Sequence, residues 1–388
     1  MPLFPEISKG TFISRSNRFV IRCATPKGVI DAYLPNPGRL WELLLPGRTI
    51  YLVEKEPSRA GMLGHTAVAV EKEGTPVLLH THLANVVVAR LIAAGKLPGL
   101  EDARIEKAEA SMGHSRFDFL LEKKSRPFFL EVKSCTLVGR RLAMFPDAVT
   151  RRGKKHLEEL LDLSRRGIAC GVIFLVHWPH AAFFLPDYHT DLDFAAVFKE
   201  IKGELFVKAL SLEWLADLSL GNNIREISIP WKTIEHEAKD GGSYILMFHI
   251  AKDVQAVAGS LGEIHLPRGY YLYVGAAEQA LAKRIEHHLR PNKVDRYPID
   301  YIRKYAGRCL AMPIRSSVQL EHELAAAIGS IADGLISSVG SSDCGCPSHL
   351  FHFLANPLHS QSFINLLQYF RMDRLEEEIL SSKDVSEA

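Results

Sequence analysis

The run Ile168 to Val176 is apolar at every position, so neither of its faces can be turned to water. Such a segment is a strand with protein on both sides, which places it at the centre of a sheet. A helix-spaced segment from about Thr150 to Arg166 precedes it, with Leu157, Leu160, Leu161 and Leu163 as its apolar side and Gly167 at its end. Earlier still, Leu83 to Ala94 has helical spacing and is capped by Gly95, and three β-like runs follow at Arg104–Ala110, Arg116–Glu122 and Phe128–Ser134. The order helix, three strands, helix, strand predicts an α/β core. The apolar stretch continues only to Trp178 and contains Gly171 and His177, well short of the roughly 20 residues that cross a bilayer.

Residues 10–80 are different. Arg18–Cys23, Val29–Leu34, Thr49–Glu54, His65–Glu71 and Pro76–His80 are short β-prone runs punctuated by Pro26-Lys27-Gly28, Pro46-Gly47 and Glu73-Gly74, with no long helix, so a small OB-like barrel is predicted. Periodicity fades from Ala216 and ends in Asp240-Gly241-Gly242. Beyond it come strands at Tyr244–Ile250 and Gly269–Val274 and helices near Glu278–Arg290 and Ser317–Ile331. The expected chain is thus an α/β and α+β mix: an OB-like β domain over 1–80, an α/β core over 81–215, a linker over 216–241, a smaller α+β domain over 242–370, and an acidic tail over 371–388 that frays.

The balance of 47 basic and 45 acidic residues excludes a histone-like polycation but hides an asymmetry. Residues 1–216 hold 30 basic and 24 acidic side chains against 17 and 21 in the remainder, and the tail from Arg371 holds 3 and 6 of these. Six scattered cysteines make no disulfide framework, and Met1 to Gly10, with Pro2, Pro5 and Glu6, has no apolar core of a signal peptide. A reduced, soluble, cytoplasmic protein without membrane contact is expected.

Two carboxylates stand inside hydrophobic strands: Asp118 in Ser115-Arg116-Phe117-Asp118-Phe119-Leu120-Leu121, and Glu131 in Phe129-Leu130-Glu131-Val132-Lys133-Ser134. An ionised group there is costly unless paired or bound to a metal. If the intervening turn is symmetric about Lys124 and Ser125, Asp118 faces Glu131 and Arg116 faces Lys133. Opposed Cβ atoms lie about 4.5–5.5 Å apart, where two carboxylates repel unless a cation sits between them. Mg²⁺ (or Mn²⁺) suits two carboxylates completed by water and phosphate, and Lys133, on the same strand face as Glu131, would orient the water and stabilise phosphate charge. The bland alternative is an exposed hairpin on which Glu131 pairs with Lys133 or Arg116. Arg140, Arg141, Arg151, Arg152, Lys154 and Lys155, set against Asp147 alone, favour phosphodiester chemistry. The spacing puts Arg152, Lys155 and His156 on one face of the first turns of the second helix, where helix N-termini already attract phosphate.

Residues 1 to about 215 resemble the sugar fermentation stimulation protein A family. The matching stretches are Leu34-Pro35-Asn36-Pro37-Gly38-Arg39-Leu40, the Ser-Arg-Phe-Asp-Phe and Glu-Val-Lys-Ser runs with Thr136-Leu137, and Phe145-Pro146-Asp147-Ala148-Val149-Thr150 continuing into Lys155-His156-Leu157. The resemblance implies an OB-like part, a PD-(D/E)xK-type core and sequence-tolerant DNA binding, with Asp118 as the metal aspartate and Glu131 and Lys133 as the Glu-x-Lys element. Arg39, Arg116, Arg140, Arg152, Lys155 and His156 are the expected contacts to the nucleic acid, and Asp118 and Glu131 the expected metal ligands. Phe117 stands where the nominal proline would be, and Leu83–Ala94 carries no auxiliary acid. Glu109, also at a family motif position, either substitutes for that acid or is a strand-surface charge. Cys135 has no neighbouring base and reads as a buried thiol.

In the last domain, Tyr271-Leu272-Tyr273-Val274-Gly275 ends a strand, and the following helix carries Arg284, His287 and His288. A tyrosine beside an arginine can prepare water for attack on a phosphate, and Glu321 on a later helix can hold a metal. The alternative is an ordinary strand-helix unit. Residues 242 to about 355 resemble a small GIY-YIG-like domain through Gly242-Ser243-Tyr244, Gly269 to Gly275, Arg284-Ile285, Ile299-Asp300-Tyr301, Glu321 and Ser342-Asp343-Cys344-Gly345-Cys346. Tyr244, Tyr273, Arg284 and Glu321 match that family's site, whereas Ala276 and Pro298 depart from it. Cys344, Cys346, His349 and His352 are zinc-ligand types, but Cys-x-Cys-x₂-His-x₂-His fits no standard finger and would strain a tetrahedral cage. Zinc is not expected at Cys344 and Cys346 on that spacing, and a tight loop is. The readings left open are a Mg²⁺-dependent DNA nuclease, a DNA-binding or regulatory protein that does not cleave, and an RNA-processing enzyme.

Overall fold

The computed structural model describes all residues except 1, 2, 5, 55–62, 114, 291–292, 343 and 383–388. Pro2 and Pro5, Asp343 and the end of the acidic tail therefore lie outside the described residues. Two compact units emerge: residues 1–187, 193–234 and 376–388 form the first, and 188–192 and 235–375 the second.

The first unit opens with β1 (Ser8–Asn17), β2 (Val20–Thr25), β3 (Gly28–Tyr33), β4 (Thr49–Glu54), β5 (His65–Lys72) and β6 (Thr75–Leu78). β1 pairs with β2 and β4, β2 with β3, and β4 with β5, all antiparallel; the parallel contact Tyr33↔Thr66 between β3 and β5 closes a five-stranded OB-like barrel. β1 is the strand that the sequence pattern hides. It reads Ser-Lys-Gly-Thr-Phe-Ile-Ser-Arg-Ser-Asn and turns only Gly10 and Phe12 fully inward.

The α/β core follows: α1 (Ala84–Ala93), β7 (Arg104–Met112), β8 (Ser115–Lys123), β9 (Arg126–Cys135), β10 (Leu137–Val138), β11 (Leu142–Phe145), α2 (Arg151–Arg165), β12 (Ala169–Val176), β13 (Phe183–Pro186), α3 (Leu192–Glu200), β14 (Phe206–Trp214), β15 (Leu220–Ile227) and α4 (Trp231–Glu237). Its sheet runs β15-β14-β12-β9-β8-β7. The all-apolar β12 is indeed internal, parallel to β9 on one side and β14 on the other. Val87, Val88, Leu91 and Ile92 of α1 pack on Phe119, Leu130, Val132, Ile173 and Leu175. α2 begins at Thr150, whose side chain accepts the Gly153 N–H at 3.1 Å, and lies on β12 with Leu157, Leu160, Leu161 and Leu163 buried.

The stretch 216–241 is more than a connector. β15 pairs antiparallel with β14, and Leu218 is fully buried against Tyr51, Val53 and Val68 of the barrel. The tail also differs from the expectation: residues 375–381 form a helix with Leu375 and Ile379 buried, and Glu376 pairs with Arg141 at 2.7 Å. Burial of Leu375 and Ile379, one turn apart on the same face, holds it in place despite Glu376, Glu377 and Glu378.

The second unit contains β16 (Gly242–Ile250), β17 (Val254–Val257), β18 (Glu263–Leu266), β19 (Gly269–Ala277), α5 (Leu281–Leu289), α6 (Pro298–Arg303), β20 (Cys309–Arg315), α7 (Glu321–Gly329), β21 (Gly334–Leu335), β22 (Leu350–Phe353) and α8 (Gln361–Gln368). Its main sheet runs β20-β16-β19-β22-β21. Gly242 has φ +121 and sits so close to the β20 backbone that a Cβ would meet Ile314 O at 2.5 Å, so only glycine opens this strand. Among the described residues, no helix is long and apolar enough to cross a membrane.

Candidate functional site

The β8–β9 hairpin has the register that its turn predicts: Lys123↔Arg126 through Phe119↔Leu130. The ladder stops there, so the expected cross-strand pairs Asp118–Glu131 and Arg116–Lys133 are not formed. Instead of continuing the pairing, Asp118 uses its side chain, with Oδ2 accepting the Val132 N–H at 2.7 Å and Oδ1 accepting Asn85 Nδ2 of α1 at 2.7 Å. On the other side, β7 and β8 pair as Ala108↔Phe119 and Ala110↔Phe117, and between them Glu109 adopts φ +53. A left-handed glutamate inside a strand is strained, and strain of this kind concentrates at functional sites.

Glu131 is buried. Its Oε1 accepts Lys133 Nζ and His156 Nδ1, both at 2.5 Å, while its Oε2 is buried and has no hydrogen-bond partner. Arg152 Nε donates to His156 Nε2 at 3.4 Å, which leaves Nδ1 to carry the proton toward Glu131. Burial pushes the Asp118 carboxyl above its ordinary range and the Glu131 charge adds to this, against the Val132 and Asn85 bonds and Lys133. Burial acts on Glu131 in the same direction, but His156 and Lys133 outweigh it and hold its carboxyl low. One carboxylate is thus kept charged while the other is penalised for its company.

A cleft of about 760 Å³ opens beside Asp118, lined also by Lys133 and Glu109 of the core and by Arg18, Asn36 and Gly38 of the barrel, while Glu131 lies buried behind it. Four of the residues expected to bind nucleic acid are also accounted for. Arg39 is committed to the protein: Nε donates to Asp147 O at 2.7 Å and NH2 to Asp187 Oδ2 at 3.4 Å, tying the 36–40 loop to the core. Arg116 pairs with Glu109 on the surface. His156 is buried on Glu131 and not presented on the helix face with Arg152 and Lys155; Lys155 lies 3.6 Å from Glu159. Arg140 and Arg152 are exposed. Cys135 is buried, and burial pushes its thiol up, as suits an inert thiol. Asn85 and His156 are the positioning residues that the sequence did not single out for these roles: Asn85 stands on an apolar helix outside the motifs, and His156, within a matching stretch, was expected on the nucleic acid and not on Glu131.

In the second unit Tyr244, Tyr273, Arg284 and Glu321 come within electrostatic reach of one another. Gly275 permits this, because a Cβ there would meet the Tyr244 hydroxyl at 2.4 Å. Burial pushes both phenols up; the Glu321 charge adds to this and Arg284 opposes it. Tyr244 OH pairs with His288 Nε2 at 2.9 Å, and His288 Nδ1 with Asp300 Oδ1 at 3.0 Å. The Arg284 guanidinium stacks over Tyr297 at 4.7 Å. His352 leaves the Cys344–His349 loop altogether: its Nε2 meets Arg268 O at 3.0 Å and its ring packs on Tyr271.

An OB-like barrel joined to a PD-(D/E)xK-type α/β core, with a carboxylate on each strand of one hairpin and a lysine two residues on, defines the class. Residues 13–79 match the SfsA N-terminal OB domain, 82–216 the sugar fermentation stimulation protein RE domain, and 243–372 the Domain of unknown function DUF123, a GIY-YIG-like domain. The chain is 39% identical over 204 residues to a sugar fermentation stimulation protein homolog of Methanosphaera stadtmanae, covering 51% of this chain and 84% of that one. It is 34% identical over 226 residues to the homolog of Methanothermobacter thermautotrophicus, covering 58% and 93%. The structure of Pyrococcus furiosus SfsA in complex with Ca²⁺ superposes with a TM-score of 0.54 at 30% identity over 59% of this chain and 99% of that one. The chain belongs to the sugar fermentation stimulation protein family and carries an additional C-terminal domain.

Proposed function

We propose that this protein binds DNA with little sequence preference and hydrolyses its phosphodiester bonds with a divalent metal, Mg²⁺ or Mn²⁺, held by Asp118 and Glu131. The observation that carries this reading is Glu131 Oε2, a buried carboxylate oxygen without a hydrogen-bond partner beside a second carboxylate whose charge it penalises. Such an atom is costly unless a cation completes it. The Ca²⁺ complex of the Pyrococcus furiosus relative supports a hard-cation site in this fold.

The bound metal would supply an activated water and charge neutralisation at the phosphate. His156 and Lys133 fix the Glu131 carboxylate through Oε1 and leave Oε2 without a hydrogen bond, the atom that would meet the metal. Asn85 and the Val132 N–H fix Asp118, each of whose oxygens keeps a second lone pair. Lys133 then stabilises charge on the scissile phosphate, and Arg140, Arg151, Arg152, Lys154 and Lys155 take the flanking phosphates.

A second reading rests on Asn85. The first helix gives Asp118 an amide where a nuclease of this type usually adds an acid, which suits a DNA-binding protein that no longer cleaves. Incubating the protein with single- and double-stranded DNA and RNA in Mg²⁺, Mn²⁺ or EDTA separates the readings. Metal-dependent cleavage of DNA that Lys133→Ala abolishes supports the first. Salt-dependent binding to DNA without cleavage supports the second. Cleavage of RNA alone moves the substrate class. If all six basic side chains from Arg140 to Lys155 reach phosphates, log K falls with log salt at a slope of about −5 on duplex.

A further inference from the structure

We infer that His322, Cys344, Cys346 and His349 form a structural zinc site in the C-terminal domain, separate from the Asp118–Glu131 pair. One nitrogen or sulfur atom from each of the four lies within 4.8 Å of every other. The set differs from the quartet that the sequence spacing offered. His322, from the first turn of α7, takes the place of His352, which is turned away to Arg268 and Tyr271. That substitution removes the objection to zinc. The ligands now come from a helix and from three residues of the chain leading into β22, so no cage has to close within nine consecutive residues.

The distances suit the ion. Zn–S bonds of about 2.3 Å and Zn–N bonds of about 2.0–2.1 Å at a tetrahedral angle place a sulfur and a nitrogen about 3.5 Å apart. Cys344 Sγ to His349 Nε2 is 3.5 Å, and Cys346 Sγ to His322 Nδ1 is 3.5 Å. His349 is 1% exposed, and its Nδ1 is buried without a hydrogen bond, although Glu321 Oε1 lies 3.2 Å away. A histidine that ligates through Nε2 characteristically offers its Nδ1–H to a carboxylate, and Glu321 stands in that position. Cys344 and Cys346 are both partly exposed, which leaves the ion a way in, and a tetrahedral set of two thiolates and two imidazoles selects Zn²⁺ among common divalent ions.

The site also explains the local architecture. Between the end of α7 at Gly329 and the start of β22 at Leu350 the only regular element among the described residues is the two-residue β21. An irregular stretch of that length is uncommon in a compact domain unless it serves a function. Zinc would tie residues 344–349 to α7, and through His349 would set the carboxylate of Glu321, the acid expected to act with Tyr244, Tyr273 and Arg284.

The experiment uses the full chain, purified without added metal under reducing conditions. Elemental analysis should find about one zinc per chain, and replacement by Co²⁺ should give thiolate-to-cobalt charge-transfer bands together with the intense visible bands of a tetrahedral site. Cys344→Ser, Cys346→Ser and His322→Ala should lose the zinc, whereas His352→Ala and the double variant Asp118→Asn, Glu131→Gln should keep it. Glu321→Gln should weaken zinc binding about 10-fold. A folded wild-type protein without zinc and without cobalt–thiolate bands would overturn the proposal, as would a Cys344–Cys346 disulfide found by mass mapping, full zinc content in Cys344→Ser, or loss of zinc from the Asp118, Glu131 double variant. None of these measurements reads cleavage, so the nuclease reading stands or falls apart from them.

Discussion

His156 donates through Nδ1 to Glu131 Oε1 at 2.5 Å, and this single bond makes the acidic strand face asymmetric. With Lys133 on the same oxygen, one edge of the carboxylate is saturated and the other is bare. Removing the imidazole should therefore affect a cation before it affects the fold. His156→Ala should weaken Mg²⁺ binding about 10- to 100-fold, the usual range for groups that orient a ligand. It should also let the Glu131 pKa rise, since its low value depends on His156 more than on any other partner. A depressed carboxyl contributes stability that is present above its ordinary value near 4.5 and lost as pH falls through the folded pKa. Acid unfolding of His156→Ala should then begin at higher pH than that of the wild type, which calorimetric Mg²⁺ titration and pH melts would check.

Asp118 has the opposite sign. Its carboxyl is raised by burial and by the Glu131 charge, so without metal it costs stability as pH rises from its ordinary value of 3.8 through the folded pKa. Asp118→Asn should unfold in EDTA at the same or a higher temperature than the wild type at neutral pH. The difference should shrink as pH falls toward 3.8 and the wild-type carboxyl takes up its proton. In Mg²⁺ the order should reverse, because only the wild type gains from the ion. A lower melting temperature for Asp118→Asn in EDTA at neutral pH would show that the pair is not in conflict.

Asp300 anchors the second site. Its side chain is fully buried and accepts His287 Nε2 at 3.0 Å, His288 Nδ1 at 3.0 Å, Lys293 Nζ, and the N–H groups of Arg296 and Tyr297. Burial would raise its carboxyl, but these bonds together hold it far below the ordinary range. Asp300→Asn keeps the shape and removes the charge that Lys293 and the histidines face. Breaking a buried pair in this way costs about 3–5 kcal/mol. Thermal or urea unfolding should show that loss, and Tyr244 should lose its fixed His288 partner with it.

The hairpin register, the internal β12 and the OB-like barrel were legible because each rests on local pattern: a tight turn, an uninterrupted apolar run, alternation between glycines. β1 and β15 were not, since both are half-exposed strands whose polar residues face solvent, and only pairing with β2, β4 and β14 makes them strands. Among the site residues, Asp118, Glu131 and Lys133 announced themselves as charges in apolar strands. His156 did not, because the basic run around it suggested a phosphate-facing helix, whereas its own side chain turns inward onto Glu131 and Phe117. His322 lay beyond the reach of spacing arguments, being separated from Cys344 by most of a helix and an irregular loop that only tertiary structure folds back.

Glu109 offers a test in which stability and function should part. Its φ of +53 places a side chain where glycine is preferred, at a cost of about 1–2 kcal/mol. Its carboxylate pairs with Arg116 on the surface, a contact worth at most about 1 kcal/mol. Glu109→Gly should therefore leave the melting temperature unchanged or raise it slightly, because relief of the left-handed backbone offsets the lost pair. If Glu109 serves only as a surface charge, Mg²⁺-dependent cleavage should be unchanged. It lines the cleft beside Asp118, however, and α1 supplies no acid of its own. The expected result is a protein as stable as the wild type with cleavage reduced at least 10-fold and with Mg²⁺ needed at higher concentration. Glu109→Gln, which keeps the strain and loses only the charge, should show the same loss of cleavage. Normal activity in both variants would remove Glu109 from the site and leave the left-handed turn as a purely structural feature of β7.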